Sequence, residues 1–189
     1  MRLSTLSAIL LLASSGCTIT TYGVRPGTVG VQSATVGVAT ACGVACDGQI
    51  GCRVGVHRLY NGPTGEHFYT TTDGEGTSLG FTVEASNYYY LYSNPAPGLV
   101  PLHRCMMAYG KHFYTTAPAC EGATPGTEEG TLGYLSPTPL CGAVPLYRSY
   151  NPGSHDHFYT TDPGEHERAT HGGGWNDEGI MGYVWQSPL

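Results

Sequence analysis

Hydrophobic and polar positions along this chain follow one pattern that occurs three times. Short runs of aromatic, β-branched and polar residues are separated by clusters of Gly, Pro and Asn, an arrangement typical of β-hairpins. The most regular element is His-Phe-Tyr-Thr-Thr, which begins at His67, His112 and His157, 45 residues apart each time. A fixed period of this length indicates units that cannot bury their apolar faces alone and therefore pack on one another.

The repeat predicts an all-β domain over residues 55–189, with units at 55–99, 100–143 and 144–189. We expect about four short strands in each unit. That number favours a β-trefoil-like body with pseudo-threefold symmetry, and a small propeller-like closed β body is the alternative.

Only the third unit carries a clear helix start. Asp162 is a suitable N-cap, Pro163 suits the first helical position and Glu165 completes a capping box. A short helix is therefore expected there, ending near Thr170.

Each unit also repeats one arginine and one glutamate. A bidentate link between them inside each unit would explain why three of the few basic residues occupy one repeat position, and a ligand site used three times is the alternative. The residues are Arg58, Arg104 and Arg148 with Glu84, Glu129 and Glu178. Five residues after each glutamate stands a tyrosine, at Tyr89, Tyr134 and Tyr183.

Alternation along the second strand of each unit separates histidine and tyrosine from phenylalanine. We expect Phe68, Phe113 and Phe158 to fill the core, with each histidine nearer the surface beside its tyrosine. Three histidines on a pseudo-threefold axis could instead hold one metal ion, as His ligands do in zinc sites. A backbone partner inside each unit satisfies a neutral histidine as readily. We therefore predict no metal and no other cofactor.

The N-terminus has the features of a secretory signal peptide at residues 1–16. Arg2 precedes an apolar run over 6–13, which is too short to span a membrane, and small residues then lead to Cys17. This segment resembles the lipobox of bacterial lipoproteins, although Ser14 stands where that family usually has Leu. The resemblance implies acylation of Cys17 and attachment to a lipid bilayer, with the outer membrane or cell surface as the expected location.

Residues 17–41 are rich in Gly, Val and Thr and predict a flexible tether, with an extra β-strand as the alternative. Residues 42–54 form a Cys-rich lead-in to the repeats. Six cysteines remain when Cys17 carries lipid, and outside the cytoplasm they predict up to three disulfides. They are Cys42, Cys46, Cys52, Cys105, Cys120 and Cys141. Cys105 and Cys120 flank one predicted hairpin, so a disulfide between these two is the pairing that we most expect.

The repeated units resemble a family of secreted repeat domains of unknown function that is common in bacteria. Unit 3 carries the resemblance best, through Pro145-Leu146-Tyr147-Arg148, Tyr150-Asn151-Pro152, the run from Asp156 to Thr161, Glu178-Gly179 and Gly182-Tyr183. Units 1 and 2 depart from it, with Glu66 and Lys111 in place of Asp. The resemblance implies an accessory or binding role beside secreted hydrolases and implies no activity.

No catalytic motif is present, and we predict that the chain is not an enzyme. Without Arg2, seven basic residues face fourteen acidic ones, which argues against nucleic acid as a partner. Fourteen tyrosines and two tryptophans suit the binding of a glycan, of cell-wall material or of a cell-surface protein. A structural or protein-interaction lipoprotein is the alternative. The candidate ligand contacts are Tyr60, His67, Tyr69, His112, Tyr114, Tyr150, His157 and Tyr159.

Overall fold

The computed structural model describes residues 52–122 and 126–188, together with the backbone of strand residues 24–25, 28–29, 42–44 and 50–51. The predicted signal peptide and the side chains of Cys17, Cys42 and Cys46 lie outside the described residues. Within the described part of the chain, no helix has the length and hydropathy that a membrane crossing requires.

The repeats form three structural units of the same design. Each unit consists of a first strand, a hairpin to a second strand, a short helical segment and a third strand. Unit 1 contains β4 (Ile50–Asn61), β5 (Glu66–Thr70), α1 (Glu75–Ser78) and β6 (Thr82–Tyr92). Unit 2 contains β7 (Val100–Met107), β8 (His112–Thr115), a 3₁₀ segment (Pro118–Gly122) and β9 (Gly126–Leu135). Unit 3 contains β10 (Val144–Asn151), β11 (Asp156–Thr160), α2 (Pro163–Gly172) and β12 (Asn176–Val184).

Every unit is a three-stranded antiparallel sheet with its first strand in the middle. The expectation of about four strands in each unit is therefore wrong, because the segment between the second and third strands is helical. Three short strands precede the repeats, β1 (Val24–Arg25), β2 (Thr28–Val29) and β3 (Cys42–Val44). β1 pairs with β2, and β3 pairs with the start of β4. The all-β prediction is confirmed.

The third strands join the units at their last residues. Tyr92 of β6 pairs with Tyr134 of β9. Ser136 and Tyr183 exchange two backbone hydrogen bonds of 3.0 and 2.8 Å, and Tyr90 and Trp185 exchange two of 2.7 and 3.2 Å. Each unit therefore bridges both of the others.

The strand pairing shows that the tyrosine of unit 1 equivalent to Tyr134 and Tyr183 lies one residue later than the sequence spacing indicated. Tyr90, not Tyr89, takes the place of Tyr134 and Tyr183, because it pairs with Gly55 as those two pair with Pro101 and Pro145. The register of β4 with β6 shifts between Val56 and Arg58, where Asn87 has a φ of 50°. One extra residue in β6 therefore lies between the repeated glutamate and the pairing tyrosine.

The centre of the core consists of equivalent residues from all three units. Tyr69, Tyr114 and Tyr159 are 0–1% exposed, and their rings pack edge to face at 5.3–5.4 Å between centroids. Burial of these aromatic and aliphatic side chains drives the units together. The aliphatic members of the cluster are Val56, Leu102 and Leu146, and Leu91, Leu135 and Val184.

The three tyrosine hydroxyls link the units in a cycle of hydrogen bonds. Tyr114 Oη donates to the carbonyl of Tyr69 (2.6 Å) and accepts from the Tyr69 amide (2.8 Å). Tyr159 makes the same pair of bonds with Tyr114, and Tyr69 makes it with Tyr159, all at 2.7–2.9 Å. Backbone groups that no strand pairs are thus satisfied inside the core. Phe68, Phe113 and Phe158 are 1–6% exposed, which confirms that they are buried. The expectation that the tyrosines lie nearer the surface is wrong, because both faces of the second strand are covered and the tyrosine face packs against the neighbouring units.

Each unit attaches its helical segment to the sheet by different chemistry. Leu59, Phe68 and Phe81 form an apolar cluster in unit 1. In unit 2 a disulfide joins Cys105 to Cys120, with Cα atoms 5.9 Å apart, which confirms the predicted pair. Cys52 and Cys141 are also disulfide-bonded. In unit 3 the buried hydroxyl of Ser149 lies 2.9 Å from His166 Nδ1.

The helix predicted in unit 3 is confirmed as α2. The Asp162 side chain accepts a hydrogen bond of 2.8 Å from the Gly164 amide, as an N-cap does, and Pro163 is the first helical residue. Glu165 makes no capping-box contact, because its carboxylate binds an arginine of unit 1.

Replacing Tyr114 by Phe tests the tyrosine cycle. The variant leaves a buried amide and a buried carbonyl of Tyr69 without partners, so we expect the free energy of unfolding to fall by about 2 kcal/mol or more. Urea unfolding followed by circular dichroism measures the change. Tyr109→Phe, which removes a hydroxyl from a half-exposed ring, is the control and should change stability little. An equal effect of the two variants would contradict the role assigned to Tyr114.

Candidate functional site

The repeated arginines lie where one unit meets another. We name the three junctions by their units: 1/3, 2/1 and 3/2. At junction 1/3, Arg58 Nη1 and Nη2 donate to the two oxygens of Glu165 at 2.8 and 3.1 Å. Arg58 Nε lies 3.1 Å from Glu84 of its own unit. One arginine thus holds a carboxylate from each of two units.

The other junctions repeat this arrangement. Arg104 binds Glu75 of unit 1 at 3.0–3.1 Å and lies 3.0 Å from Glu129. Arg148 binds Glu121 of unit 2 and lies 2.9 Å from Glu178. The bidentate partner therefore belongs to a neighbouring unit, whereas the sequence led us to expect it inside each unit. A threonine of the second strand, Thr70, Thr115 or Thr160, donates to the same carboxylate.

The inter-unit glutamates are ionised despite partial burial. Burial alone would raise the pKa of Glu165, but hydrogen bonds from Arg58 and Thr160 hold that pKa below its ordinary value. The pKa values of Glu75 and Glu121 are lowered in the same way. The junctions are therefore charged links that stay intact well below neutral pH.

The repeated histidines make a second set of links at two junctions. Asp156 of unit 3 accepts from the His67 amide at 3.0 Å and lies 2.6 Å from His67 Nδ1. Glu66 of unit 1 contacts the amide and Nδ1 of His112 at 3.0 and 2.7 Å. In both cases one carboxylate fixes the backbone and the ring of a histidine in the next unit.

Junction 3/2 lacks such a carboxylate. Lys111 holds the position that Glu66 and Asp156 hold elsewhere, and its ammonium donates to the carbonyl of Thr64. His157 Nδ1 is buried and has no hydrogen-bond partner among the described residues. Burial, with a further contribution from Arg148, lowers the pKa of His157 to about 4. This histidine is therefore neutral in the folded protein at pH 7.

The histidines do not gather around one ion. Each contacts a different set of side chains, and no group of three or more His, Cys, Asp or Glu residues within 52–122 and 126–188 has the geometry to hold a metal.

An open cleft of about 380 Å³ lies at junction 1/3. Its lining residues are His67, Phe158, Glu165, Arg168, Ala169 and Trp175. The Trp175 ring lies 5.6 Å from that of Phe158 and 5.9 Å from that of His67. Aromatic rings thus line the cleft together with a carboxylate and a guanidinium from α2, and Arg168 is 74% exposed.

Sequence reasoning placed only His67 in this cleft. Of the predicted contacts, Tyr69, Tyr114 and Tyr159 lie in the core, and His112 and His157 lie at the other two junctions. Tyr60 and Tyr150 pack against His67 and His157. Trp175 was missed because it follows α2 outside the repeated motifs. The signal that could have found it is its register: it precedes β12 as Phe81 precedes β6.

Three residues of unit 3 have the connectivity of a Ser-His-Asp triad. Ser149 Oγ lies 2.9 Å from His166 Nδ1, and His166 Nε2 lies 3.1 Å from Asp177 Oδ1. Ser149 is 0% exposed, so a substrate cannot reach its oxygen. The contact serves to attach α2 to the sheet.

Comparison with known families agrees with a chain built from repeats. A family model described as a domain of unknown function, DUF5648, matches residues 40–124 and again residues 122–185. The chain belongs to this family. Comparisons of this DUF5648 chain with curated proteins and with solved structures find no match.

The neutral state of His157 in this DUF5648 chain predicts a pH dependence of stability. In the unfolded chain His157 takes up a proton as the pH falls below its ordinary pKa of 6.5. In the folded chain His157 does so only near pH 4. Stability is therefore fully present above pH 6.5 and is lost as the pH falls toward 4. We expect His157→Gln to reduce this loss by about 2 kcal/mol between pH 7 and pH 4.5.

Urea unfolding at the two pH values measures the difference. His171→Gln, at an exposed position on α2, is the matched control and should leave the pH dependence of the wild type unchanged. The same loss in His157→Gln as in the wild type would show that His157 does not carry the effect.

Proposed function

We propose that this protein is an exported lipoprotein whose repeat domain binds carbohydrate or cell-wall material without catalysing a reaction. The observation that carries the proposal is the aromatic cleft at junction 1/3, in which Trp175, Phe158 and His67 meet beside Arg168 and Glu165. A concave site with apolar walls and a few polar groups is the usual composition of a small-ligand site, and its volume lies within the range of roughly 300–1,000 Å³ for such sites.

The chemistry of the cleft suits a sugar ring. The half-buried indole of Trp175 offers a flat apolar face to the C–H groups of a pyranose. The exposed guanidinium of Arg168 supplies donors for ring hydroxyls, and the Glu165 carboxylate is 28% exposed and can accept from them. Arg58 neutralises Glu165, and Arg168 lies 4.0 Å from the carboxylate of Asp162, so both charges of the cleft have a counter-charge and a polar, uncharged ligand suits it.

Lipid on Cys17 would place this domain at a membrane surface. More than one acyl chain gives stable anchoring, and the residues of the 17–41 segment outside the β1–β2 hairpin would span roughly 20–25 Å as a flexible coil. The domain would then stand clear of the lipid headgroups, where it can reach polymeric material at the cell surface.

The proposal includes the arrangement of the units. Three three-stranded units, each with its first strand in the middle and with its strand pairing to the other units confined, in the described residues, to the end of its third strand, favour a small propeller-like closed body with pseudo-threefold symmetry over a β-trefoil. The cyclic hydrogen bonds of Tyr69, Tyr114 and Tyr159 support this arrangement, since each unit contacts the other two through the same atoms.

A glycan array and a pull-down with insoluble polysaccharides test the function. The lipidated protein in detergent micelles should bind at least one glycan saturably. Trp175→Ala should raise the dissociation constant about tenfold or more. Trp175→Phe introduces the residue that unit 1 has at this position and should raise the dissociation constant less than Trp175→Ala does.

Leu79→Ala is the control, because Leu79 is exposed directly after α1 and lies outside the cleft. It should bind as the wild type does, and equal melting temperatures would show that all variants are folded. Wild-type binding that is unaffected by Trp175→Ala would reject the cleft as the site, and no saturable glycan binding at all would reject the proposed function.

A further inference from the structure

The hairpin of unit 3 contains a residue that the repeat does not explain. Counting back two positions from the repeated histidine, units 1 and 2 have Gly65 and Gly110, whose φ angles are 64° and 74°. Unit 3 has His155 in the same backbone conformation, at a φ of 55°. This left-handed region costs a side-chain-bearing residue conformational free energy that glycine avoids. At this position histidine therefore has a higher conformational free energy than glycine would have.

The ring of His155 lies in an exposed aromatic cluster between units 2 and 3. It packs on Tyr109 at 5.2 Å between ring centroids, and its Nδ1 lies 2.9 Å from the hydroxyl of Tyr150. Tyr109 is 47% exposed. It too departs from the repeat, since units 1 and 3 have Thr64 and Ser154 at its position. Two atypical residues from different units thus meet on the surface.

The cluster lies at the end of the units opposite the entry of the chain. Residues 52–54 begin the described part of β4 beside Tyr92 and Leu91, at the end where the third strands bridge one another. The hairpins lie at the other end of the first strands, roughly 25 Å away at about 3.3 Å per residue. A domain tethered through its N-terminal segment would present these hairpins away from the tether.

The contacts of the cluster indicate an uncharged ligand. In the described part of the chain, the partners of Tyr109, Tyr150 and His155 are rings and a hydroxyl, with no ion pair among them. The neighbouring Lys111 is buried and donates to the Thr64 carbonyl. The exposed ring of Tyr109, the half-buried ring of Tyr150 and the exposed imidazole of His155 offer stacking and hydrogen bonding without a charge to attract phosphate or an acidic peptide.

We propose that Tyr109 and His155 form a second carbohydrate-contact surface, in which a sugar ring stacks on Tyr109 and a hydroxyl bonds to His155 Nε2. The proposal rests on the glycan-binding function but uses a different site. The cleft and this surface lie on opposite junctions of unit 3. A polysaccharide chain that reaches both binds more tightly than a short fragment, because the second contact is made at high effective concentration.

The residues of unit 1 supply variants that preserve the fold. Tyr109→Thr and His155→Gly each introduce the unit 1 residue at the equivalent hairpin position, and glycine adopts the required φ without strain. The melting temperature should stay equal to that of the wild type or rise. Thr64→Ala, at the equivalent exposed position of unit 1, is the matched control.

Binding is measured with the lipidated protein in micelles against peptidoglycan sacculi, chitin and cellulose, and against soluble tetrasaccharides of each. For the polymer that the wild type binds, the Tyr109→Thr/His155→Gly double variant should have an apparent dissociation constant about tenfold higher than that of the wild type. The tetrasaccharide affinity at the cleft should remain unchanged, and Thr64→Ala should change neither value.

Two results would overturn the inference while leaving the proposed function intact. One is polymer binding by the double variant that equals wild-type binding. The other is a fall in melting temperature for His155→Gly, which would show that His155 is kept for stability. If the wild type binds none of these glycans, the inference and the proposed function fall together.

Discussion

The hydrogen-bond cycle of three buried tyrosines is the constraint on which the rest of the structure depends. Each hydroxyl both donates to and accepts from the backbone of the neighbouring unit, so no unit can satisfy its own second strand alone. An unpaired buried polar group is costly, and removal of one unit would leave an unpaired amide and carbonyl in one of the other two units and an unpaired tyrosine hydroxyl in the second. The three units therefore depend on one another for their backbone pairing as well as for their apolar contacts.

The charged links follow the same cyclic order as the tyrosines. Arg58 binds Glu165 across the junction where Tyr69 bonds to Tyr159, and His67 binds Asp156 there. This coincidence explains why arginine, histidine and tyrosine repeat together in the sequence. The one missing link, at His157 and Lys111, makes junction 3/2 chemically different from the other two.

Local sequence patterns predicted the elements that local physics determines. The N-cap at Asp162 and the spacing of Cys105 and Cys120 are visible within one unit, the period of 45 residues is visible by comparing the units along the sequence, and the structure agrees with all three. The partners of Arg58 and the burial of Tyr69 were not predictable, because both depend on a neighbouring unit. Trp175 and His155 were missed because they lie where the units differ. The candidate binding surfaces therefore occur at departures from the repeat, while the repeated residues hold the units together.

Native-state hydrogen exchange of the amides of Tyr69, Tyr114 and Tyr159 tests the central claim most directly. All three amides donate to hydroxyls of the cycle and lie in the common core. If the units are mutually dependent, all three should exchange only through global unfolding, with the same free energy as urea unfolding gives. Exchange of any one of them at a clearly lower free energy would show that a unit opens on its own and would contradict this account.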